Sequence, residues 1–150
     1  MSIITIGDSI ATEGGIGQFA DRSYATVGAG LYTGIDRAFE RAIPTIREGD
    51  IVLLSVGTND WGIGTDAGYA ATLRGYIDRI TAAGGEVVLL GVRETGYEGG
   101  GYASTIGTPG RAERINDLLR EAVAGNPNAH FSEESIAAAN SIANGEVHGN

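Results

Sequence analysis

Short apolar runs rich in β-branched residues alternate along the chain with longer segments in which apolar residues recur every three or four positions. This alternation is typical of a parallel β-sheet with helices on its faces. We therefore predict an α/β fold, a three-layer α/β/α sandwich around a five-stranded, mostly parallel sheet with flavodoxin-like topology. The apolar runs place the five strands at Ile3–Ile6, Tyr24–Val27, Ile51–Val56, Glu86–Val92 and Ala129–Phe131.

The segments between the predicted strands carry signals for the starts and ends of helices. Thr33, with Asp36 three residues later, resembles a capping box at the start of one helix, and Gly84-Gly85 is a pair that ends another. The first crossover, Ile10–Arg22, is rich in glycine and does not predict a full helix. The predicted helices run from Thr33 to Ile43, from Thr65 to Ala83, from Thr108-Pro109 to Val123, and from Ser132 to Asn144.

Length and charge narrow the class of protein. A chain of 150 residues without a repeat or a linker predicts a single domain over 1–150. The net charge of -9 argues against a nucleic-acid partner, because affinity for phosphate backbones needs clustered positive charge.

No apolar run approaches the ~20 residues of a membrane span, so no membrane partner is predicted. The N-terminus lacks a basic leader, so we expect synthesis in the cytoplasm, with release by lysis or carriage on a particle left open.

Two residue types are missing altogether, and their absence excludes several chemistries. The chain has no Cys, and all 10 of its basic residues are Arg, so there is no Lys. Thiol nucleophiles, Cys-ligated metals, Schiff-base lysines and the Gly-Lys-Ser/Thr phosphate loop are therefore excluded. The two histidines, His130 and His148, are too isolated to form a ligand cluster, and we predict neither a metal nor a cofactor. We interpret His130, in the fifth strand, as structural.

Three polar candidates follow predicted strands at the carboxyl ends, where open parallel sheets bind their ligands. Ser9, in Gly7-Asp8-Ser9, offers a hydroxyl nucleophile, Gly30 offers a backbone N–H, and Asn59 offers an amide donor. Each residue also has a plain interpretation, because serine, glycine and asparagine are all common in turns. Together they indicate a serine hydrolase site in which Gly30 and Asn59 stabilise an oxyanion.

These segments resemble the sequence blocks of the SGNH (GDSL-type) hydrolases, from residue 3 to residue 148. The resemblance implies the SGNH hydrolase topology, with Ser9 as nucleophile and His148 as base. It also implies an oxyanion hole made of the Ser9 N–H, the Gly30 N–H and the Asn59 amide, although Gly28 competes with Gly30 for the second block. The matching residues are Gly7-Asp8-Ser9-Ile10, Gly30, Gly57-Thr58-Asn59-Asp60 and His148, and Ile115-Asn116-Asp117-Leu118-Leu119-Arg120 resembles the family's helix after the fourth strand.

The last block departs from the family's pattern. That family normally has an aspartate three residues before its histidine, and Gly145 occupies that position here. Glu146, two residues before His148, is the nearest carboxylate. Three interpretations stay open: Glu146 orients His148, a backbone carbonyl does so in a Ser–His dyad, or the site is impaired.

Four aromatic residues follow the same strand ends: Tyr32, Trp61, Tyr97 and Tyr102. Rings on loops suit stacking against a sugar or an acyl chain, and rings that merely cover the sheet edge are the plain alternative. We predict a serine esterase acting on a small acyl ester, and the resemblance implies acetyl or short acyl groups on carbohydrate. The alternative is a catalytically silent SGNH-like module that binds carbohydrate or supports an assembly.

Overall fold

A parallel β-sheet forms the centre of the fold. The computed structural model describes residues 1–8, 16–25, 29–57, 66–94 and 110–141. Its strands are β1 Ile3–Gly7, β2 Arg22–Ala25, β3 Ile51–Ser55, β4 Glu86–Leu90 and β5 Ala129–Ser132. They lie in the order β2-β1-β3-β4-β5, and every neighbouring pair is parallel. The α/β fold with a five-stranded sheet, predicted from the apolar runs, is confirmed.

Helices connect these strands and cover the sheet. The described helices are α1 Asp36–Ala42, α2 Asp66–Ala82, α3 Arg111–Val123 and α4 Glu133–Asn140. Right-handed crossovers place α1, α2 and α3 on one face of the sheet. On that face the Phe39 ring of α1 stacks on the Tyr76 ring of α2, with centroids 4.3 Å apart. The first crossover contains a short 3₁₀ turn, Ile16–Phe19, and its residues 9–15 lie outside the described ranges.

The hydrophobic core lies between the sheet and the helices. Along β3 and β4, fully buried residues alternate with half-buried ones, because successive side chains of a strand point to opposite faces. On α2 and α3, the buried residues recur at the spacing of three and four that predicted these helices. Fully or almost fully buried residues of this core on β3, β4, α2 and α3 include Val52, Leu54, Leu73, Ile77, Ile80, Val87, Leu89, Ile115 and Leu119.

The edge strand β2 begins two residues earlier than predicted. Arg22 and Ser23 pair in register with Ile4 and Thr5 of β1, so the strand starts at Arg22 and not at Tyr24. Its polar start is stabilised by the neighbouring strand, because the Thr5 hydroxyl donates to the Ser23 hydroxyl at 2.9 Å. An apolar pattern does not reveal such a pairing. The predicted end of this strand, residues 26 and 27, lies outside the described residues.

The strand β4 ends at Leu90, and the predicted end at Val92 is wrong, because side chains bond the backbone beyond Leu90. The Gly91 N–H donates to the Ser135 hydroxyl at 2.8 Å. Val92 donates its N–H to Asn116 Oδ1 at 2.8 Å and accepts a bond from Asn116 Nδ2 at 3.0 Å. Asn116 is fully buried on α3. Its amide therefore takes the place of a neighbouring strand at this position.

The helix α1 begins later than predicted, and Thr33 is not its N-cap. The irregular turn Leu31–Ile35 precedes it, and within this turn Gly34 has a φ of +152°. A Cβ at this position would lie 2.9 Å from the Cβ of Ala29, so the turn requires glycine. The Asp36 carboxylate accepts the Gly34 N–H at 3.0 Å. The predicted capping box of Thr33 and Asp36 is therefore wrong.

Two other helix termini were predicted correctly, the end of α2 and the start of α4. The helix α2 is followed by Gly84, whose φ of +102° ends it as predicted. The helix α4 has the predicted N-cap, since the Ser132 hydroxyl accepts the Ser135 N–H at 3.3 Å.

The helix α4 ends at Asn140, where the Ser141 hydroxyl donates to the Ala138 carbonyl, so the predicted end at Asn144 is wrong. The helix α3 begins at Arg111, because its N-cap Gly110 has a left-handed φ of +80°, so the predicted start at Thr108-Pro109 is wrong. None of the helices described here is long and apolar enough to cross a membrane.

Candidate functional site at the carboxyl edge of the sheet

The carboxyl ends of β1 and β3 are tied together at Gly7 and Asp8. A Cβ on Gly7, whose φ is +151°, would lie 2.0 Å from the Ser55 carbonyl oxygen, so only glycine permits this approach. The Asp8 N–H donates to the same carbonyl at 3.0 Å. The Ser55 hydroxyl donates to Asp8 Oδ1, also at 3.0 Å, and Asp8 is fully buried. The residue that follows in the sequence is Ser9, the predicted nucleophile.

Gly57 begins the Gly57-Thr58-Asn59-Asp60 motif just beyond β3. Its φ is +106°, which side chains rarely adopt. A Cβ here would lie 2.9 Å from Ile115 Cγ2 and 3.2 Å from Val92 Cγ1. The motif therefore starts in close contact with α3 and with the segment after β4, at the same edge of the sheet as Asp8.

Gly30, the second predicted oxyanion donor, is buried in the turn that precedes α1. Its N–H donates to Thr33 Oγ1 at 2.9 Å. Its carbonyl accepts the N–H groups of Thr33 and Ile35, both at 3.1 Å. The backbone donor that the family resemblance assigns to the oxyanion is thus bonded within its own turn. From the sequence, Thr33 is predicted only as a helix cap, and the signal for this contact is a hydroxyl three residues after the candidate glycine.

Tyr32 is the predicted aromatic site residue that falls within the described ranges, and it is 39% exposed. Its ring meets the Tyr69 ring edge-on, with centroids 6.4 Å apart. Its hydroxyl lies 3.4 Å from Thr72 Oγ1 on α2. Thr72 in turn lines a shallow groove of about 240 Å³, together with Gly75, Tyr76 and Arg79. An exposed ring beside an open groove is a surface on which a sugar or an acyl chain can lie.

Two arginines of α3 hold the start of α2. Arg114 Nε lies 3.0 Å from Asp66 Oδ2, and Arg111 Nη1 lies 3.3 Å from Asp66 Oδ1. The hydrogen bond from Arg114, and after it that from Arg111, keeps the pKa of Asp66 below its ordinary value of 3.8. The carboxylate also occupies the first turn of the helix, where exposed N–H groups favour negative charge. These contacts anchor the point at which residues 58–65, with the predicted oxyanion amide, join α2.

Two charged residues beyond β4 were not singled out from the sequence. Arg93 is buried, with only 4% of its surface exposed. The Glu94 carboxylate accepts a bond from Asn116 Nδ2 at 2.8 Å, and the Glu94 N–H donates to Asn140 Oδ1 at 2.9 Å. These bonds anchor the segment from which residues 95–109 continue. An arginine directly after an apolar strand was the available signal, because a charge at a buried position requires partners.

Several predicted site residues lie outside the described ranges: Ser9, Asn59, Trp61, Tyr97, Tyr102, Glu146 and His148. Their roles stay predictions, and so does the choice between Gly28 and Gly30, because Gly28 is also outside these ranges. His130, interpreted as structural, contacts Glu86 of the neighbouring strand through Nε2. Among the described residues, no group of three His, Asp or Glu side chains is arranged to hold a metal ion.

Comparisons with known proteins bear on the fold. No protein-family profile and no curated protein sequence matches this chain. A structure from Slackia heliotrinireducens, assigned to the SGNH hydrolases, is similar with a TM-score of 0.72 and 17% identity, over 98% of this chain and 88% of that chain. An acetyl-xylooligosaccharide esterase from Geobacillus, solved as a variant, is similar with a TM-score of 0.62 and 17% identity, over 92% of this chain and 77% of that chain.

A longer protein from Bacillus subtilis contains the same arrangement. It is 22% identical, with a TM-score of 0.62, and the match covers 92% of this chain. The chain spans 44% of the length of that protein. At these identities the similarity establishes the architecture, and it agrees with the strand order described above. The chain therefore has the fold of the SGNH hydrolases, as the resemblance of its sequence blocks predicted.

Proposed function

We propose that the protein is a serine esterase that hydrolyses small acyl esters, acetyl or another short chain, through an acyl-enzyme. In this proposal Ser9 is the nucleophile and His148 is the base. The Ser9 N–H, the Gly30 N–H and the Asn59 amide bind the oxyanion. The similarity of the fold to SGNH hydrolases and to an esterase supports this assignment.

The observation that carries the proposal is the junction of β1 and β3. Ser55 bonds Asp8 through both its carbonyl and its hydroxyl, and Gly7 permits the close approach of the two strands. The nucleophile of the proposal follows Asp8 directly, and the Gly57-Thr58-Asn59-Asp60 motif begins two residues after Ser55. Two motifs distant in sequence thus start from one hydrogen-bonded junction, and this supports a preorganised acyl-transfer site.

The proposed reaction has two acyl-transfer steps. Ser9 Oγ attacks the ester carbonyl carbon while His148 takes the hydroxyl proton, and the oxyanion donors bind the resulting negative oxygen. The bond to the leaving alcohol then breaks, and His148 returns the proton to that alcohol. In the second step water attacks the acyl-enzyme with His148 as base. Ser9 is regenerated and the acid is released.

Hydrolysis of a chromogenic acetyl ester tests the proposal. We expect the purified protein to release the chromophore and Ser9→Ala to abolish this release. A serine-directed phosphonate should label one peptide, the one that contains Ser9. The matched control is Ser23→Ala, since this hydroxyl lies in the edge strand β2 and bonds Thr5. Undiminished turnover in Ser9→Ala, or a phosphonate adduct on another peptide, would overturn the proposal.

Carbohydrate esters are the substrate class that we propose to examine first. The similar Geobacillus protein is an acetyl-xylooligosaccharide esterase. In this chain, the Tyr32 ring is exposed next to the groove of α2. A sugar can stack on such a ring, and this supports the proposal of a carbohydrate ester. A higher kcat/KM for acetylated xylo-oligosaccharides than for the chromogenic ester would support this choice, and a lower one would favour a simple acyl ester.

A catalytically silent carbohydrate-binding module is the second candidate, and two observations favour it. Gly145 stands where the family has an aspartate, and the Gly30 N–H is already bonded to Thr33. Calorimetric titration with acetylated xylo-oligosaccharides distinguishes the candidates. Binding without turnover, together with no phosphonate adduct, would identify the silent module. Turnover that depends on Ser9 would exclude it.

A further inference from the structure

The turn before α1 holds the Gly30 amide in a closed hydrogen-bonded loop. Thr33 contributes to this loop twice, because its hydroxyl accepts the Gly30 N–H at 2.9 Å and its own N–H donates to the Gly30 carbonyl at 3.1 Å. The Ile35 N–H donates to the same carbonyl at 3.1 Å. A donor-acceptor distance of 2.9 Å is that of a full hydrogen bond. The single hydrogen of the Gly30 amide is therefore committed to Thr33.

The irregular backbone of the turn places the Thr33 side chain over Gly30. Thr33 departs from helical geometry with a φ of −127°, and Gly34 follows with a φ of +152°. The Asp36 carboxylate holds this conformation by accepting the Gly34 N–H at 3.0 Å. The contact between Gly30 and Thr33 is thus a capping-box contact at the start of the Leu31–Ile35 turn, in which the Thr33 side chain accepts the N–H of the N-cap residue Gly30.

The two partners of this bond differ in their access to solvent. Gly30 is buried, whereas Thr33 is exposed. If the hydroxyl leaves, it can bond water, but the Gly30 N–H has to find another acceptor or stay unsatisfied, which is unfavourable for a buried donor. The acceptor with the right chemistry is an oxygen atom that arrives from outside the turn. In the proposed function, that oxygen is the ester oxyanion.

We propose that the Thr33 hydroxyl is a displaceable cap that occupies the oxyanion position of the Gly30 N–H in the absence of substrate. This inference rests on the proposed function, since it requires an oxyanion to displace the hydroxyl. The developing negative oxygen is a stronger acceptor than a neutral hydroxyl, because hydrogen bonds to charged groups are the stronger ones. Replacement of the Thr33 hydroxyl by the oxyanion therefore stabilises the transition state. The free energy needed to break the bond between Gly30 and Thr33 nevertheless lowers the rate.

The test replaces Thr33 by valine, which keeps the branched shape and removes the acceptor. We expect kcat/KM of Thr33→Val on the chromogenic acetyl ester to rise roughly 2- to 10-fold, the factor that corresponds to one lost competing hydrogen bond. We expect the melting temperature to fall, because the buried Gly30 N–H loses its partner. Thr33→Ser retains the hydroxyl and should restore both values to those of the natural chain. A purely structural role lowers stability without raising the rate.

A second measurement keeps the proposal testable if Thr33→Val does not fold. In the natural chain, the phosphonate adduct of Ser9 presents a tetrahedral anionic oxygen. Formation of this adduct should shift the Gly30 amide proton resonance, and the Thr33 side-chain resonances should move with it. An unshifted Gly30 resonance in the adduct would overturn the proposal.

The outcomes separate this inference from the proposed function. A natural chain that neither hydrolyses the ester nor reacts with the phosphonate refutes both. An active natural chain whose Thr33→Val variant is less stable but no faster refutes the cap alone and leaves the proposed esterase activity standing. An active natural chain with a faster Thr33→Val variant supports both.

Discussion

The Ser55 hydroxyl donates to Oδ1 of Asp8 at 3.0 Å, and the Asp8 N–H donates to the Ser55 carbonyl at 3.0 Å. This reciprocal pair joins residues that are 47 positions apart, and both are buried. A backbone bond and a side-chain bond between the same two residues restrict the end of β1 more strongly than the sheet alone. The proposed nucleophile directly follows this restricted position.

Ser55→Ala should therefore impair both stability and turnover. Leaving a buried acceptor without its donor costs about 1–3 kcal/mol of unfolding free energy. We expect kcat on the chromogenic ester to fall more than KM rises, because the orientation of Ser9 matters most in the transition state. Urea unfolding and steady-state kinetics measure the two effects. Ser23→Ala, which loses a hydroxyl bond on β2, should lose stability without a fall in kcat. A Ser55→Ala enzyme with unchanged kcat would contradict the proposal that the bond between Ser55 and Asp8 orients Ser9.

Gly57→Ala should destabilise the protein by about 2–4 kcal/mol, since it combines an unfavourable φ with overpacking. The added Cβ would meet Ile115 Cγ2 at 2.9 Å at a φ of +106°. Gly110→Ala is the matched control, because Gly110 has a φ of +80° and nothing lies within 4 Å of the added Cβ. We expect the control to lose only about 1–2 kcal/mol. Equal losses in urea unfolding would show that the contact with α3 is unimportant.

The acid sensitivity of folding should depend on Asp50. Hydrogen bonds from the Arg47 and Ser2 N–H groups, aided by the charge of Arg22, hold the pKa of Asp50 below its ordinary value of 3.8. A lowered pKa in the folded state means that the ionised carboxylate stabilises the fold at pH values above 3.8, the ordinary pKa of this group. This contribution disappears as the pH falls through the folded-state pKa. Asp50→Asn should therefore be less stable at neutral pH.

Unfolding at several pH values checks this expectation. The difference in unfolding free energy between the natural chain and Asp50→Asn should become smaller as the pH falls below 3.8, the ordinary pKa of this carboxyl. Esterase activity per folded molecule should stay unchanged, because Asp50 precedes β3, at the opposite edge of the sheet from the candidate site. A difference in stability that does not change with pH would show that ionisation of Asp50 is irrelevant to folding.

Asn59→Ala should lower kcat by about 10²–10³, the usual effect of losing one oxyanion donor. The unfolding free energy should change little. Asn126→Ala is the control, because the Asn126 amide donates to Asp78 and Thr81 of α2 and has no proposed part in the reaction. A loss of activity in Asn59→Ala that comes wholly from a higher KM would contradict a role in the transition state.

The final block calls for a comparison of Glu146→Gln with His148→Ala. If the Glu146 carboxylate orients His148, its amide variant should lose most of the activity. We expect instead that Glu146→Gln is nearly silent and His148→Ala is inactive, since Glu146 is two positions before the histidine, whereas the family has its aspartate three positions before it. The kinetics of both variants on one ester decide whether the Glu146 carboxylate or a backbone carbonyl orients His148. An active His148→Ala enzyme would exclude both.

The class of fold and the number of strands could be predicted from the sequence alone. These features follow from periodicity, because a buried strand or helix face needs apolar residues at fixed spacing along the chain. The stripe that predicted α2, with Leu73, Ile77 and Ile80, is buried in the core as expected.

The Gly-Asp-Ser motif begins at Gly7, the last residue of β1, and the Gly-Thr-Asn-Asp motif begins at Gly57, two residues after β3. Both motifs therefore begin at the edge shared by the carboxyl ends of these parallel strands. The gathering of Ser9, Asn59 and His148 at one edge of the sheet stays a prediction, because these residues lie outside the described ranges.

Tertiary structure alone decided where β4 ends, how α1 begins and which group bonds the Gly30 amide. Asn116 ends β4 because its amide, 24 positions along the chain, bonds the backbone of Val92. Thr33 is not the N-cap of α1, because the turn that contains Gly34 separates it from that helix. The Thr33 hydroxyl instead accepts the Gly30 N–H. Such outcomes depend on which backbone groups remain unbonded after the chain has folded. Local propensity contains no information about partners that only the folded chain brings together.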